Sequence, residues 1–270
     1  MLAGLGRGGE FVMPHFNRDG YAIYYEVHGS GAPVMLLHGM SMSFTGSYRA
    51  FGWVDWLVDH GLQAIAMDFR GHGRSDKPHQ VSAYGSAALG GDVLALLDHL
   101  GLEKTALLGY SHGSVIALHL LHSAPQRFSK GVLMATGDGL MGLPPYVLSD
   151  VTARLAAAIE HDARPADLPK HEAAYWDFAT NGSGDRVAAA AMLRADYPHC
   201  SAQDLARATM PVLVVSAEQD PVLGRGSRLA EALPRGRYLE IPGADHFQLA
   251  TSDYAKTEVC WFLDTPQEGQ

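Results

Sequence analysis

Short apolar runs alternate with helix-like segments along most of this chain, and the alternation restricts its possible folds more than any other feature. The runs rich in β-branched and other apolar residues are 22–27, 34–37, 63–67, 105–108, 130–134, 211–215 and 237–241. Helical spacing of apolar residues follows several of them, at 53–60, 91–101 and 114–122. Strands that alternate with helices predict an α/β fold, with a mostly parallel, doubly wound sheet covered on both faces.

The alternation stops between residues 137 and 209. This stretch is alanine-rich with helical patterns, as in 151–160 and 186–195, and prolines interrupt it. A helical block inserted between two late strands predicts a cap over the carboxyl ends of the strands. We therefore expect a core made of residues 13–136 and 210–265, and a helical cap of residues 137–209 that depends on this core.

Composition narrows the class of protein. A chain of 270 residues with 47% hydrophobic residues can bury one large core. A net charge of −9 without a basic run argues against nucleic-acid binding, and no apolar stretch reaches membrane-spanning length. The two cysteines, Cys200 and Cys260, lack metal or disulfide spacing and favour a reducing, cytoplasmic location. Residues 1–12 are glycine-rich and precede a second methionine, and we interpret them as a leader or tag.

The pentapeptide Gly-Tyr-Ser-His-Gly at 109–113 lies between a strand-like run and a helix-like one. At so tight a corner, the residues two positions before and after the serine must lack side chains, and the hydroxyl projects at the helix N-terminus. The partial positive charge of that helix end lies where an oxyanion would form. Ser111 is thus the predicted nucleophile, and an ordinary glycine-serine turn is the alternative.

A serine hydroxyl needs a base, and the base needs an orienting carboxylate. Of the 14 histidines, His246 follows the final predicted strand at a glycine-containing turn, which makes it the predicted base. Asp220 comes just after the preceding strand and before a proline, and is the predicted carboxylate. A turn or helix-cap role is its alternative. Glu218 and Asp245 compete with it, although adjacent loop residues such as Asp245 and His246 tend to point apart.

The chain order Ser111, Asp220, His246 is the one found in α/β-hydrolases. From about Met13 to Leu263 the chain resembles serine hydrolases of the α/β-hydrolase fold, in the small-cap group that is similar to esterases and lipases. Its fold and its candidate residues are then expected to follow that family.

Two further motifs match this family. His38-Gly39-Met40 follows an apolar strand and resembles the family's oxyanion loop, and residues 68–75 resemble its signature turn. The resemblance implies an oxyanion hole made by the backbone N–H groups of Met40 and His112. It also implies that His38 and Gly39 support this loop, that the 68–75 turn is structural, and that no metal site is needed.

The resemblance implies ester hydrolysis through an acyl-enzyme, with a small-molecule ester of small to medium acyl chain as substrate and no cofactor. A serine nucleophile argues against haloalkane dehalogenases and epoxide hydrolases. Hydrolysis of a lactone or a carbon–carbon bond on the same residues remains an alternative, as does an enzyme similar to cofactor-independent haloperoxidases. A small-molecule receptor is a further alternative. No nucleic-acid or membrane partner is expected, and the oligomeric state is left open.

Apolar side chains near the loop and in the cap are expected to set the substrate size. Met42 and Phe44, just after the oxyanion loop, have the best position for this. The candidates in the cap either line the pocket or join its helices to the core, and they are Leu140, Met141, Leu143, Tyr146, Tyr175, Trp176, Phe178 and Met192.

Overall fold

The computed structural model describes residues 14–142, 155–168, 170–181, 185–220 and 224–265. The leader predicted at 1–12 lies outside these residues, as do the pocket candidates Leu143 and Tyr146. Eight strands form a single sheet, and they are β1 (His15–Arg18), β2 (Tyr21–His28), β3 (Ala32–Leu37), β4 (Leu62–Met67), β5 (Thr105–Tyr110), β6 (Phe128–Met134), β7 (Val212–Ala217) and β8 (Gly236–Ile241).

The strand order across the sheet is β1-β2-β4-β3-β5-β6-β7-β8. Among the described strands, only the pairs β1–β2 and β2–β4 are antiparallel and the other pairs are parallel, which confirms the predicted mostly parallel sheet. The chain moves outward from β3 to β4 and then returns past β3 to β5. This reversal opens a crevice at the carboxyl ends of β3 and β5, where open α/β sheets bind their ligands.

The helices described are α1 (Trp53–Asp59), α2 (Ser86–His99), α3 (His112–Ser123), α4 (Lys170–Asn181), α5 (Arg186–Leu193), α6 (Ala202–Leu205), α7 (Ser227–Ala232) and α8 (Asp253–Asp264). Helix α2 begins five residues before its predicted start at Gly91. Gly90 and Gly91 lie inside this helix, where glycine is unfavourable. The sequence therefore did not predict the first turn. At Gly90 a Cβ would lie 3.2 Å from the His119 ring of α3, so the close packing of the two helices compensates for that cost.

A separate apolar core lies on each face of the sheet. Helices α2 and α3 pack on one face, against residues such as Leu107, and α1 and α8 pack on the other, against residues such as Leu108. Every residue of β5 is buried, as expected for a central parallel strand. None of the helices in the described residues is long and apolar enough to cross a lipid bilayer.

Between β6 and β7, helical residues 155–160 and helices α4 to α6 form an insertion, which we call the helical insertion (137–209). It has an apolar cluster of its own, formed by Leu155, Ala156, Ile159, Trp176, Ala179, Ala189, Ala190 and Leu193. Another face of α5 packs into the main core through Ala188, Ala191 and Met192. The insertion thus rests on the sheet domain, while the domain boundaries at 13–136, 137–209 and 210–265 remain predictions.

Candidate active site

Ser111 occupies a strained corner between β5 and α3. Its backbone has φ 53° and ψ −116°, a region that residues other than glycine rarely adopt. A Cβ at Gly109 would lie 2.5 Å from the carbonyl oxygen of Gly113, and a Cβ at Gly113 would lie 1.9 Å from that of Leu37. Both contacts are closer than any side chain permits, so the corner can form only with glycine on either side of the serine.

His246 lies in the loop after β8 and joins Ser111 to Asp220, which follows β7. Its Nδ1 is 2.7 Å from Asp220 Oδ2, and its Nε2 is 2.9 Å from Ser111 Oγ. Because an ionised carboxylate only accepts hydrogen bonds, Nδ1–H donates to Asp220 and Nε2 accepts from the serine hydroxyl. The side chains of His246 and Asp220 are 4% and 0% exposed, so water does not compete for these contacts.

The two competing carboxylates are bound elsewhere. Glu218 Oε2 accepts the backbone N–H of Gly243 at 2.8 Å. Asp245 Oδ1 accepts the N–H groups of Phe247 and Gln248 at 2.9 and 2.8 Å, which closes a local turn. Asp220 is therefore the carboxylate that the fold brings to the histidine.

The loop after β3 approaches Ser111 closely, since a Cβ at Gly39 would lie 3.7 Å from Ser111 Cβ. The N–H of Gly39 donates to Ser47 Oγ and that of Ser41 donates to His72 Nε2. In the part of the chain that the structure describes, the N–H groups of Met40 and His112 donate to no protein acceptor. One of these two donors lies on the loop beside the serine and the other at the first residue of α3.

A cavity of about 20 Å³ adjoins Ser111, enough for about one water molecule. Its described lining is Gly39, Met40, Met42, Tyr110, Ser111, His246 and Phe247. Met42 thus lies where its position in the sequence predicted. The expectation for Phe44 is wrong, because its side chain packs in the core under the sheet, where Phe44 is 1% exposed.

None of the apolar candidates of the helical insertion is among the described residues that line this cavity. Trp176 belongs to the insertion's own cluster, while Leu140, Met141 and Met192 pack into or against the main core. The alternative that these side chains join the insertion to the core therefore holds for Leu140, Met141 and Met192, whereas Trp176 packs within the insertion. Tyr175 and Phe178 lie on α4, and their side chains are outside the described part of the structure.

Tyr110 was not among the predicted site residues, yet it contacts His246 directly. Its hydroxyl donates a short hydrogen bond to the backbone carbonyl of His246, and the two rings lie 6.0 Å apart. The loop that carries the histidine is thereby tied to the residue before Ser111. Its position between glycine and serine in the motif was the only signal available, and that position does not reveal a contact across 136 residues of chain.

Three further histidines, His38, His72 and His112, are buried behind the oxyanion-loop residues. Burial lowers the pKa of His38, although nearby Asp68 opposes the shift. The pKa of His72 is lowered well below its ordinary value, first by burial and then by His38 and His112. Burial, together with His38, lowers the pKa of His112 to about 3. All three imidazoles are consequently neutral at neutral pH.

The order of the strands, the corner at Ser111 and the loop that carries His246 together are typical of the α/β-hydrolase fold. A model of the α/β hydrolase fold family matches residues 32–253, and the chain belongs to this family. The chain is 29% identical over 269 residues to a non-heme chloroperoxidase from Streptomyces lividans, with 86% of this chain and 92% of that protein covered.

Two solved structures illustrate the breadth of the similarity. Est816, an N-acyl homoserine lactone degrading enzyme, is 27% identical with a TM-score of 0.67, and 91% of this chain and 98% of that one are covered. A thermophilic esterase from Thermogutta terrifontis, with malate bound, is 22% identical with a TM-score of 0.72, and the coverage is 92% and 96%. Among the described residues, no group of three or more His, Cys, Asp and Glu side chains could hold a metal ion.

Proposed function

We propose that this protein hydrolyses carboxylic esters through an acyl-enzyme on Ser111. The observation that carries the proposal is the continuous set of contacts from Ser111 Oγ through the His246 ring to Asp220. A buried serine that donates to a carboxylate-bound imidazole is prepared to lose its proton on attack. This arrangement supports the catalytic roles expected of the three residues.

In the proposed reaction, Ser111 Oγ attacks the ester carbonyl while His246 Nε2 takes the hydroxyl proton. The N–H groups of Met40 and His112 bind the oxyanion, and Asp220 stabilises the imidazolium. His246 then gives the proton to the leaving alcohol. Water attacks the acyl-enzyme in the same way and releases the acid.

The cavity beside Ser111 supports an acyl group at the small end of the expected range. Thioether and aromatic side chains line it through Met40, Met42 and Phe247. Its volume of about 20 Å³ has room for about one water molecule, so the space beside Ser111 favours the shortest acyl groups. Substrates with a short, uncharged acyl chain are therefore the ones we expect to react fastest.

A series of p-nitrophenyl esters of increasing acyl length, run on the wild type and on Ser111→Ala, tests both points. We expect kcat/KM to be highest for the shortest chains, and to fall on the order of 10³-fold or more in Ser111→Ala. Circular dichroism establishes that the variant is folded. Wild-type turnover by a folded Ser111→Ala would overturn the proposal.

Peroxide-dependent halogenation is a second candidate, favoured by the similarity to the chloroperoxidase over 86% of this chain. Bromination of a diketone dye with bromide and hydrogen peroxide measures it. Activity that depends on Ser111 and exceeds ester hydrolysis would make this the principal function.

Lactone hydrolysis is favoured by the similarity to Est816, whose name describes degradation of N-acyl homoserine lactones. A ring ester needs the same nucleophile and oxyanion donors as an open-chain ester. Rates on matched lactones and open-chain esters of equal acyl length separate the two activities.

A further inference from the structure

The residue after Met40 has an unusual backbone that a buried histidine holds in place. Ser41 has φ 58°, a left-handed conformation that is costly for a residue other than glycine. Its N–H donates to Nε2 of His72 at 2.9 Å, and both residues are buried. The peptide next to the proposed oxyanion donor is thus fixed by a side chain from the 68–75 turn.

The same turn and loop are linked a second time, in the opposite direction. The N–H of Phe69 donates to Nε2 of His38 at 2.9 Å, while His38 Nδ1–H donates to the carbonyl oxygen of Gly39 at 2.8 Å. The His38 and His72 rings lie 4.8 Å apart at an angle of 68°. We call this pair of reciprocal imidazole–amide bonds the histidine clasp.

Both imidazoles of the clasp must be neutral for Nε2 to accept a hydrogen bond. His72 Nδ1 lies 3.3 Å from the carbonyl oxygen of Arg70, which identifies Nδ1 as the protonated nitrogen. The charged and titratable groups that act on His72 are His38, His112 and Lys77, and each of them opposes a positive charge there. His72 is therefore a neutral acceptor at neutral pH.

The turn that carries His72 is itself rigid. Asp68 Oδ1 accepts the N–H of Phe44 at 2.7 Å, and Asp68 Oδ2 accepts that of Arg74 at 2.9 Å. Gly73 has φ 47°, and a Cβ there would lie 2.1 Å from Asp68 Oδ2, so the turn wraps closely around the carboxylate. A rigid turn holds the loop after β3 at Ser41 and again at Phe44.

We propose that His72 is a positioning residue, which aims the backbone N–H of Met40 at the developing oxyanion by holding the Ser41 amide. The inference rests on the proposed function, because Met40 binds an oxyanion only if Ser111 attacks a carbonyl. Removal of an oxyanion donor typically costs 10²–10³ in kcat, and a misaimed donor costs part of that. The role attributed to the 68–75 turn thereby extends beyond maintaining the fold.

A matched pair of side-chain amides tests the inference. The Gln oxygen of His72→Gln can reach the position of Nε2 and accept the Ser41 N–H. The shorter His72→Asn can replace Nδ1 opposite the Arg70 carbonyl, and it cannot reach Ser41. We expect His72→Asn to lower kcat on p-nitrophenyl acetate on the order of 10- to 100-fold with KM within about threefold, and His72→Gln to retain most of kcat.

His72→Leu, which has no acceptor, is expected to behave like His72→Asn. If the leucine variant does not fold, the comparison of His72→Gln with His72→Asn still tests the positioning role, since both side chains are polar amides that differ by one methylene group. Equal kcat values in folded Gln and Asn variants would overturn the proposal. A loss that appears only in KM would do so as well.

Hydrogen exchange measured by mass spectrometry on peptides spanning 38–44 separates this inference from the proposed function. We expect faster exchange at the Ser41 amide in His72→Asn than in His72→Gln, whatever the reaction catalysed. If Ser111→Ala retains turnover, the ester mechanism fails. If exchange rises in His72→Asn while kcat stays at the wild-type level, only the positioning role fails.

Discussion

Two groups of buried histidines lie on either side of the serine corner, and their surroundings differ. His246 lies between a carboxylate and a hydroxyl. His38 and His72 each accept a backbone N–H and donate toward a carbonyl. The first environment suits the base of the proposed reaction, because a carboxylate stabilises the imidazolium that such a reaction forms. The second environment disfavours a second proton on the ring, so that the neutral ring serves as a hydrogen-bond acceptor. All of these histidines are buried, and their hydrogen-bond partners therefore decide their roles.

His112 extends the comparison to a histidine without either kind of partner. Neither of its ring nitrogens has a hydrogen-bond partner among the described residues, and its ring packs edge-on against Tyr197 at 4.8 Å. Its backbone N–H is the part assigned to the oxyanion site. The imidazole behaves as an apolar aromatic side chain that would become costly to bury once it is charged.

The largest expected effect comes from removing the carboxylate charge of Asp220, the partner that His246 has and the two histidines of the clasp lack. In Asp220→Asn, an amide faces Nδ1 and favours the wrong tautomer, so we expect kcat to fall on the order of 10⁴-fold with the fold intact. Ester turnover and thermal melting measure the two quantities. Glu218→Gln is the matched control, since its amide oxygen can still accept the Gly243 N–H. A loss below tenfold in Asp220→Asn would contradict the proposed role.

A smaller effect is expected when the support of His246 is weakened without changing its charge partner. Tyr110→Phe keeps the ring beside the cavity and removes the hydroxyl bond to the His246 carbonyl. A lost hydrogen bond of about 1 to 1.5 kcal/mol corresponds to a fall in kcat of roughly 5- to 13-fold, with KM little changed. Stopped-flow acylation rates measure it.

Tyr238→Phe is the control for Tyr110→Phe. It removes a hydroxyl bond to Glu240 on the outermost strand, distant from the serine. Equal effects of the two substitutions on kcat would mean that Tyr110 does not position His246.

The smallest effect concerns stability in acid. The folded pKa of His112 is about 3, below the ordinary value near 6.5 in the unfolded chain, so the unfolded state binds the extra proton. The contribution of neutral His112 to the stability of the folded state is complete above pH 6.5 and is lost as the pH falls toward 3. At pH 6 the free energy of unfolding is lower by about 0.8 kcal/mol than at pH 7.5. The loss then grows by about 1.4 kcal/mol for each pH unit below 6.

Urea unfolding at pH 7.5, 6 and 5 tests this linkage. His112→Leu is expected to flatten the decline in the free energy of unfolding, because leucine takes up no proton in either state. His161→Gln, on an exposed turn, is the control and should leave the decline as it is in the wild type. An unchanged decline in His112→Leu would show that His112 does not stay neutral in the folded protein.

The fold was largely predictable because its core strands are strongly patterned. Strand β1 was missed, since in its sequence His-Phe-Asn-Arg only Phe16 is buried and the run is too short to show a period. Of the candidate pocket residues, Met42 was placed correctly and Phe44 was not. The difference depends on packing with residues distant in the chain, since Phe44 shares its apolar cluster with Leu36 and Leu249.

The sequence by itself determined the serine corner, because the steric demand at Gly109 and Gly113 is local and leaves a local pattern. It also determined which strand ends carry the polar side chains. Only the tertiary structure decided that Asp220, and neither Glu218 nor Asp245, reaches His246, and that His72 holds the Ser41 amide. Those bonds join residues 26 and 31 positions apart, and the one between Ser111 and His246 spans 135. Their geometry exists only once the packed sheet brings its strand ends together, and no local pattern of residues encodes that distance.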